Sequence, residues 1–314
     1  MRDLRIRDPR TSAQTWLVPS RRYGPRPGPR LPAELIAEIV GHITDKATLA
    51  ICARVASVFC HPAQRQFFSH TTLYFESFLN HYARDFKHRP APPEHTPKAF
   101  YTLLKRSPHL ARHVRKLSVC VGIEFARKEE RQCLNKLIPL LGELRALAFP
   151  QNGDDFQGLM TNRANFTKAM YLPPLTQSQT RNLVELDLGA FSDCQVPDAS
   201  YFRKLTGLRR LSLACAFDTE SLLPQKQQQV SMTLGRRPLE SLTLCSGRFS
   251  FAMALLTSPS FPFEMGGRLR TLHLEPFEFY DRGPIGQIVG LCPNLEEYSQ
   301  VADWDGKYHF FLQV

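Results

Sequence analysis

Apolar residues recur in one order along most of the chain. The order is apolar-x-x-apolar-x-apolar, and it occurs seven times from residue 110 to the C-terminus, with central residues 25 to 39 positions apart. Alternation of the last three positions predicts a short, half-buried β-strand in each copy. The copies are Val114/Leu117/Val119, Leu144/Leu147/Phe149, Leu183/Leu186/Leu188, Leu208/Leu211/Leu213, Leu239/Leu242/Leu244, Leu269/Leu272/Leu274 and a degraded Leu295/Tyr298.

The segments between these copies can form helices. The clearest covers residues 126–141, where Leu134, Leu137, Ile138 and Leu141 share one helix face. Repeated strand–turn–helix units predict an α/β leucine-rich-repeat solenoid over residues 110–314, in which neighbouring units bury one another's leucines. The uneven spacing predicts an irregular solenoid. The alternative is that the pattern recurs by coincidence in another kind of α/β sheet.

A different pattern fills residues 31–73. Leu35, Ile36, Ile39, Val40 and Ile43 follow Pro32 at steps of one to four residues and predict an amphipathic helix. A second apolar stripe runs from Leu49 to Phe59, and a third short helix is predicted at residues 63–68, after a break at His61-Pro62. Three short helices cannot bury all of these side chains among themselves. We therefore expect the segment to need the rest of the chain or a partner.

Charge and proline content separate the flanking segments. The net charge of the 314-residue chain is +11, and residues 1–30 carry +6 of it together with five prolines. Like charges and prolines disfavour a packed core, so residues 1–30 are predicted to be a disordered basic arm. Residues 74–109 are predicted to be a connecting segment, because adjacent prolines at positions 90–97 exclude a helix there.

Composition limits the compartment. No apolar run approaches the roughly 18–20 residues needed to cross a bilayer, and charges interrupt any early signal sequence. Eight cysteines spread from Cys52 to Cys292 fit reduced thiols rather than a disulfide framework. The sequence therefore predicts a protein of the cytoplasm, the nucleus or both, with no membrane contact.

Motifs for catalysis or for cofactors are missing from the sequence. It contains no phosphate-binding glycine loop, no dinucleotide fingerprint, no nucleophile elbow and no zinc signature. His109 and His113 have metal-ligand spacing but no nearby carboxylate or thiol, so they are interpreted as surface histidines. The segment Asp303-Trp304-Asp305-Gly306 is interpreted as a turn, and Cys120, Cys215 and Cys245 as structural cysteines. We expect no enzyme, no cofactor and no metal.

The opening Leu31-Pro32-Ala33-Glu34-Leu35, followed by Ile39, Ile43, Leu49, Val55 and Phe59, resembles the F-box. Phe59 stands where that family more often has tryptophan, and Phe67 or Phe68 replaces a closing tryptophan. The following residues 67–73 and 107–117 look like fungal F-box proteins that carry irregular leucine-rich repeats. The specific part of the resemblance covers about forty residues, and the looser repeat similarity covers most of the rest.

This resemblance implies a substrate receptor of an SCF-type cullin–RING ubiquitin ligase. The F-box would bind the Skp adaptor and so the cullin core, and the repeats would hold an unknown protein substrate. Anchors at one-turn spacing agree with helix-in-groove binding. Val55 and Phe59 could equally belong to the core. The residues that the resemblance assigns to adaptor binding are Leu31, Pro32, Leu35, Ile39, Val55 and Phe59.

Residues that flank each central leucine are predicted to line the inner face of the solenoid. They mix both charges and include no aromatic residue, which suits a protein partner better than a phosphate backbone. The candidate substrate-binding residues on this face are Lys116, Glu185, Asp187, Arg210, Thr243 and His273.

Two other functions remain compatible with the sequence. The chain could be a leucine-rich-repeat scaffold that acts outside ubiquitylation. It could also bind nucleic acid through the basic arm, although a solvated tail is the favoured interpretation of that segment.

Overall fold

The structure is a computed structural model that describes residues 31–76, 95–120, 128–149, 173–188, 199–214, 237–245, 263–264, 268–274, 290–301 and 309–313. The chain divides into two compact units, Met1–Phe67 and Phe68–Val314. The predicted basic arm, most of the proline-rich loop, Cys215 and the turn at residues 303–306 lie outside the described residues.

Three short helices form the described part of the first unit, which we call the helical unit. They are α1 (Ala33–Gly41), α2 (Lys46–Val55) and α3 (Ser57–Ser69), the last ending just past the unit boundary. Helix α1 begins after Pro32, and Asp45 caps α2 by accepting a hydrogen bond from the Thr48 amide at 2.7 Å. The buried apolar side chains of this unit are Ile36, Val40, Leu49 and Ala63.

The boundaries of the second and third helices differ from those predicted. Helix α2 ends at Val55 because Ala56 is extended, so the stripe from Leu49 to Phe59 crosses two helices. Helix α3 continues through Pro62 instead of starting after it. A proline near the start of a helix removes one hydrogen bond, but Phe59, Ala63 and Phe67 lie four residues apart and all pack into the small core.

The second unit contains a sheet of nine strands, and the predicted α/β class is confirmed. Eight strands run parallel, in the sheet order β1-β2-β3-β4-β5-β7-β9-β10, and β11 pairs antiparallel with β10. Each of the seven predicted strands is present. The strands are β1 (His70–Tyr74), β2 (Lys116–Cys120), β3 (Ala146–Ala148), β4 (Glu185–Leu188), β5 (Arg210–Ala214), β7 (Ser241–Cys245), β9 (Thr271–Leu274), β10 (Glu297–Val301) and β11 (His309–Gln313), beside a separate pair, β6 (Arg237–Pro238) and β8 (Phe263–Glu264).

The central leucines form one column across the parallel strands. Leu147 of β3 is in register with Leu117 of β2 and with Leu186 of β4, and Leu211, Leu242 and Leu272 continue the column. All six of these side chains are buried. Each copy of the sequence repeat therefore contributes one layer to a single apolar core.

A second ladder stabilises the edge where the strands begin. The carbonyl of Arg115 accepts hydrogen bonds from the amides of Arg145 (2.8 Å) and Ala146 (3.0 Å). The carbonyls of Arg145, Val184, Arg209, Glu240 and Arg270 each accept two amides of the next strand in the same way. The repeat seen in the sequence is thus also a repeat of main-chain hydrogen bonds.

Helical segments connect the strands. They are α4 (Pro97–Arg106), the 3₁₀ helix Pro108–His113, α5 (Lys128–Leu137), the 3₁₀ helix Ile138–Leu140, α6 (Gln177–Asn182) and α7 (Ala199–Lys204). The helix predicted at residues 126–141 is present as α5 and the turn that follows it, with Leu134, Leu137 and Ile138 buried.

One interpretation from the sequence is wrong in this region. His109 is exposed, but His113 is buried at 5% exposure and is not a surface histidine. The segment is a 3₁₀ helix with about three residues per turn, so residues four positions apart do not share a face.

The predicted connecting segment also contains regular structure. Strand β1 occupies His70–Tyr74, which the sequence analysis divides between residues 31–73 and 74–109, and it pairs with β2 as part of the sheet. Helix α4 occupies Pro97–Arg106 and begins with Thr96 as its cap. The sheet therefore starts before residue 110, where the repeats were predicted to begin.

Candidate protein-binding surfaces

Large apolar side chains are exposed mainly in the helical unit. Among the described residues seven such side chains are exposed, and six of them belong to this unit. Their exposed fractions run from 47% for Val58 to 70% for Val55. These exposed apolar residues of the helical unit are Leu31, Leu35, Ile39, Ile51, Val55 and Val58.

The geometry of short helices explains why these side chains stay exposed. On α1, Ile36 and Val40 face the small core, whereas Leu35 and Ile39 lie about 100° around the helix axis from them. On α2, Leu49 is buried while Ile51 and Val55, one turn apart, are exposed. Helices α1 and α2 therefore each carry a second apolar stripe in addition to the stripe that forms the core.

Five of the six residues assigned to adaptor binding are exposed. Leu31, Pro32, Leu35, Ile39 and Val55 have exposed side chains, so Val55 is not part of the described core. The sixth residue, Phe59, is only partly exposed.

Phe59 is half-buried and packs against the core formed by Ile36, Val40, Leu49 and Ala63. Its role in the fold is therefore structural.

The sequence analysis did not single out Ile51 or Val58. Ile51 lies four residues before Val55, a spacing that places the two side chains on the same side of α2. Val58 is the second residue of α3, and its exposure depends on where α2 ends and α3 begins. The helical spacing of Ile51 was available in the sequence, whereas the position of Val58 required the correct helix boundaries.

A second surface is the polar face of the sheet. The six candidate substrate-binding residues lie on five strands and alternate with buried leucines, so they share the face opposite those leucines. Lys116, Glu185 and Arg210 belong to one register column, and Asp187, Thr243 and His273 belong to the next. The sequence analysis correctly placed these residues on one face.

Charged side chains of the first column form a network. The Lys116 ammonium lies 2.9 Å from one carboxylate oxygen of Glu185, and the Arg210 guanidinium lies 3.7 Å from the other. Lys116 and Glu185 are two strands apart, and the residue between them in the column is Ala146. The small alanine side chain lets Lys116 reach Glu185, so the network fixes the charge pattern of this face.

Some residues of this face are covered by their neighbours and do not reach solvent. Ser118, Ala146, Ala148 and Ser299 are buried, with exposed fractions of 4–8%. Small side chains between longer neighbours on adjacent strands are covered by them. In the second column His273 Nδ1 also contacts the hydroxyl of Ser299. The accessible part of this face therefore consists mainly of its longer side chains.

Two of the described cysteines, Cys120 and Cys292, are buried, and burial affects their protonation. Burial raises the pKa of the Cys120 and Cys292 thiols to about 11, so both stay protonated at neutral pH. The five described cysteines are free thiols. Within the described ranges, no three histidine, cysteine or acidic side chains are grouped to hold a metal ion. Cys245 is the last residue of strand β7.

No helix in the described part of the chain combines the length and the apolar character needed to cross a membrane. No model of a known protein family matches the chain, and a search of curated proteins finds no match either.

Proposed function

We propose that this chain is a non-catalytic substrate receptor of an SCF-type cullin–RING ubiquitin ligase. In this proposal the helical unit acts as an F-box that binds the Skp adaptor, and the sheet unit is an irregular leucine-rich-repeat solenoid that holds a target protein. The observation that supports it most is the set of six exposed apolar side chains on three short helices.

Exposed apolar pairs at one-turn spacing are the chemistry of helix-in-groove binding. Leu35 and Ile39 form such a pair on α1, and Ile51 and Val55 form another on α2. Burying one Leu, Ile or Val side chain against a partner contributes roughly 1.5–3 kcal/mol. A partner that covers several of these side chains would therefore gain a large part of the free energy of a stable complex.

The proposed mechanism is proximity. The adaptor and the cullin would bring a ubiquitin-loaded enzyme to the receptor, and the sheet face would hold the substrate nearby. Holding two reactants together raises the effective concentration of the substrate lysines without any chemical step on the receptor. The polar face with Lys116, Glu185 and Arg210 offers paired charges of both signs for a protein surface.

Adaptor capture tests this proposal. The full chain, tagged and co-expressed with the Skp adaptor and cullin, should retain both proteins through purification. The double variant Leu35→Asp/Ile39→Asp should lose them, because two charges replace exposed apolar anchors. The control is Ala37→Asp, which adds one of the two negative charges at an exposed position of α1 that lies between Leu35 and Ile39 in sequence but away from their stripe.

The outcomes separate three cases. Loss of the adaptor in the double variant but not in the control supports the proposal, provided that circular dichroism shows equal helix content. Adaptor that remains bound to the double variant, or that never binds the unmodified chain, contradicts it. If the adaptor binds and the cullin does not, the chain is a scaffold that acts outside ubiquitylation.

A further inference from the structure

An open cleft of about 770 Å³ lies at the edge where the parallel strands begin. Its lining includes the residues immediately before four strands: Arg145 before β3, Val184 before β4, Arg209 before β5 and Glu240 before β7. The cleft is therefore built on the same main-chain ladder that joins successive repeats.

Arginine dominates the lining. Five arginines line the cleft, Arg145, Arg181, Arg209, Arg210 and Arg268, and we call this surface the arginine cleft. Its acidic residues are Glu143 and Glu240, which leaves a net charge of +3. Guanidinium groups repel one another, so such a concentration at one edge is unfavourable for the fold in the absence of an anion.

The two glutamates leave most of the cleft arginines unpaired, because one pairs with a single arginine of the lining and the other with an arginine outside it. Glu240 pairs with Arg209 at 3.0 Å, and Glu143 pairs with Arg115 at 2.5 Å. Three other arginines of the lining have no such partner in the part of the chain that the structure describes. Within the described residues, the exposed side chains of Arg145, Arg181 and Arg268 make no ion pair and no hydrogen bond.

Four main-chain amides of the cleft lining already donate hydrogen bonds within the fold. The amides of Arg145, Val184, Arg209 and Glu240 all donate to the carbonyl of the preceding strand. These four amides are therefore not free to bind an anion, and the charged side chains of the cleft are spread along the edge. From β3 to β9 the edge spans four strand spacings, about 19 Å, which is the length of about six residues of an extended peptide.

We propose that the arginine cleft binds an extended acidic segment of another protein, with carboxylates on alternate residues. Alternate side chains of an extended peptide point the same way, so about three carboxylates can face the three unpaired arginines. A single phosphate would engage only part of this edge. Glu143 and Glu240 repel any anion placed beside them, and a phosphate backbone carries a charge at every unit. A peptide with carboxylates on alternate residues can place its uncharged residues beside these glutamates, so the proposal is a peptide rather than a nucleic acid.

Fluorescence anisotropy with the full chain and no adaptor tests this site, so its result is independent of adaptor capture. The probe is a labelled peptide of three Asp-Ser repeats. Its matched controls are the same peptide with asparagine in place of aspartate, a peptide with one phosphoserine, and a short oligouridine. The aspartate peptide should bind about tenfold more tightly than the asparagine peptide.

A pair of triple variants locates the site. The variant Arg145→Ala/Arg181→Ala/Arg268→Ala should weaken binding of the aspartate peptide about tenfold. The control Arg54→Ala/Arg106→Ala/Arg112→Ala removes the same charge from exposed positions outside the cleft and should leave binding within about twofold.

Three results would overturn the proposal: equal weakening in both triple variants, equal binding of the asparagine peptide, or tighter binding of the phosphoserine peptide or oligouridine. If circular dichroism shows that the cleft variant is unfolded, the single variant Arg181→Gln replaces it. That substitution keeps a polar side chain at an exposed position and should still weaken binding about twofold.

Discussion

The two units of this chain treat their apolar side chains in opposite ways. In the described residues, the core of the sheet unit contains 34 buried apolar residues, whereas the core of the helical unit contains four. The sheet unit exposes one large apolar side chain, Leu140, and the helical unit exposes six. The difference follows from how many neighbours each element has. A leucine on a central strand is covered by the strands on both sides, whereas three short helices cover only one stripe of each other.

The most direct way to break this comparison is to remove a leucine from the central column. Leu186→Ala should lower the free energy of unfolding by about 2–5 kcal/mol, because the fully buried side chain leaves a cavity between Leu147 and Leu211. Chemical denaturation of the full chain measures this change.

Leu35→Ala is the matched control for that substitution. The Leu35 side chain is 51% exposed, so the same truncation should change the free energy of unfolding by no more than about 0.5 kcal/mol. Equal costs at Leu186 and Leu35 would mean that the two units do not differ in the way described here.

Glycine substitutions test how closely successive repeats of the sheet unit approach one another. A Cβ atom at Gly207 would lie well inside van der Waals contact of the Arg181 carbonyl, which belongs to main chain and cannot rotate away. Gly207→Ala should therefore cost about 1–3 kcal/mol.

The control for this close approach is Gly142→Ala, in the turn before β3. A Cβ at Gly142 meets nothing within 4 Å, so the substitution should not reduce stability. Denaturation midpoints of the two variants give the comparison, and a Gly207 variant as stable as the Gly142 variant would show that the repeats can separate at this turn without cost.

Gln179 provides a buried polar link between repeats of the sheet unit. Its fully buried amide donates to the carbonyls of Ile138 and Leu141, and its side-chain oxygen accepts the Thr176 amide at 2.9 Å. Each of these carbonyls also accepts a main-chain amide, from Leu141 and Leu144 respectively, so Gln179→Leu removes a second donor from both and leaves the Thr176 amide without its acceptor. The substitution should cost about 1–3 kcal/mol.

The measurement for this link is again chemical denaturation, with Gln177→Ala as the control. Gln177 lies in the same helix but is exposed, and its substitution should change stability by no more than about 0.5 kcal/mol. The account of the link fails if Gln179→Leu is no more costly than the control.

The smallest expected effect lies in the helical unit, at the cap of α2. Hydrogen bonds from the Thr48 hydroxyl and amide hold the pKa of the exposed Asp45 carboxyl below 3.8. A depressed folded-state pKa means that the cap stabilises the unit above the unfolded-state pKa and that this contribution is lost as the pH falls through the folded-state value. Asp45→Ala should therefore lower the melting temperature slightly near pH 7, and the difference should shrink below about pH 4.

Asp45→Asn separates the cap from the charge. Asparagine keeps an acceptor for the Thr48 amide but does not titrate, so near pH 7 its effect should be smaller than that of alanine. Its difference from the unmodified chain should shrink as the pH falls and the Asp45 carboxylate is protonated. A difference between Asp45→Ala and the unmodified chain that stays constant down to about pH 3 would show that the carboxylate is not the group responsible.

Much of the sheet could be predicted from the sequence because its signal is local. The alternation in copies such as Leu183/Leu186/Leu188 predicted seven of the nine strands in the large sheet, but not β1 or β11. The exposed anchors Leu35 and Ile39 could also be predicted, because three short helices cannot bury two stripes each.

The remaining features depend on contacts between residues far apart in the chain. The buried position of His113 requires a 3₁₀ turn, and the carbonyl partners of Gln179 come from a segment about forty residues earlier. Arg145, Arg181 and Arg268 are separated by many residues and share a cleft only because the strands align in register. No periodicity in the sequence marks these groupings.

The central claim is that the helical unit keeps apolar side chains uncovered until a protein partner binds them. Hydroxyl-radical footprinting of the full chain, alone and with the purified Skp adaptor, measures this side chain by side chain. We expect Leu35, Ile39, Ile51 and Val55 to be labelled in the free chain and protected in the complex, while Leu140 in the sheet unit stays labelled in both. Weak labelling of the four residues in the free chain, or unchanged labelling after the adaptor is added, would contradict the account.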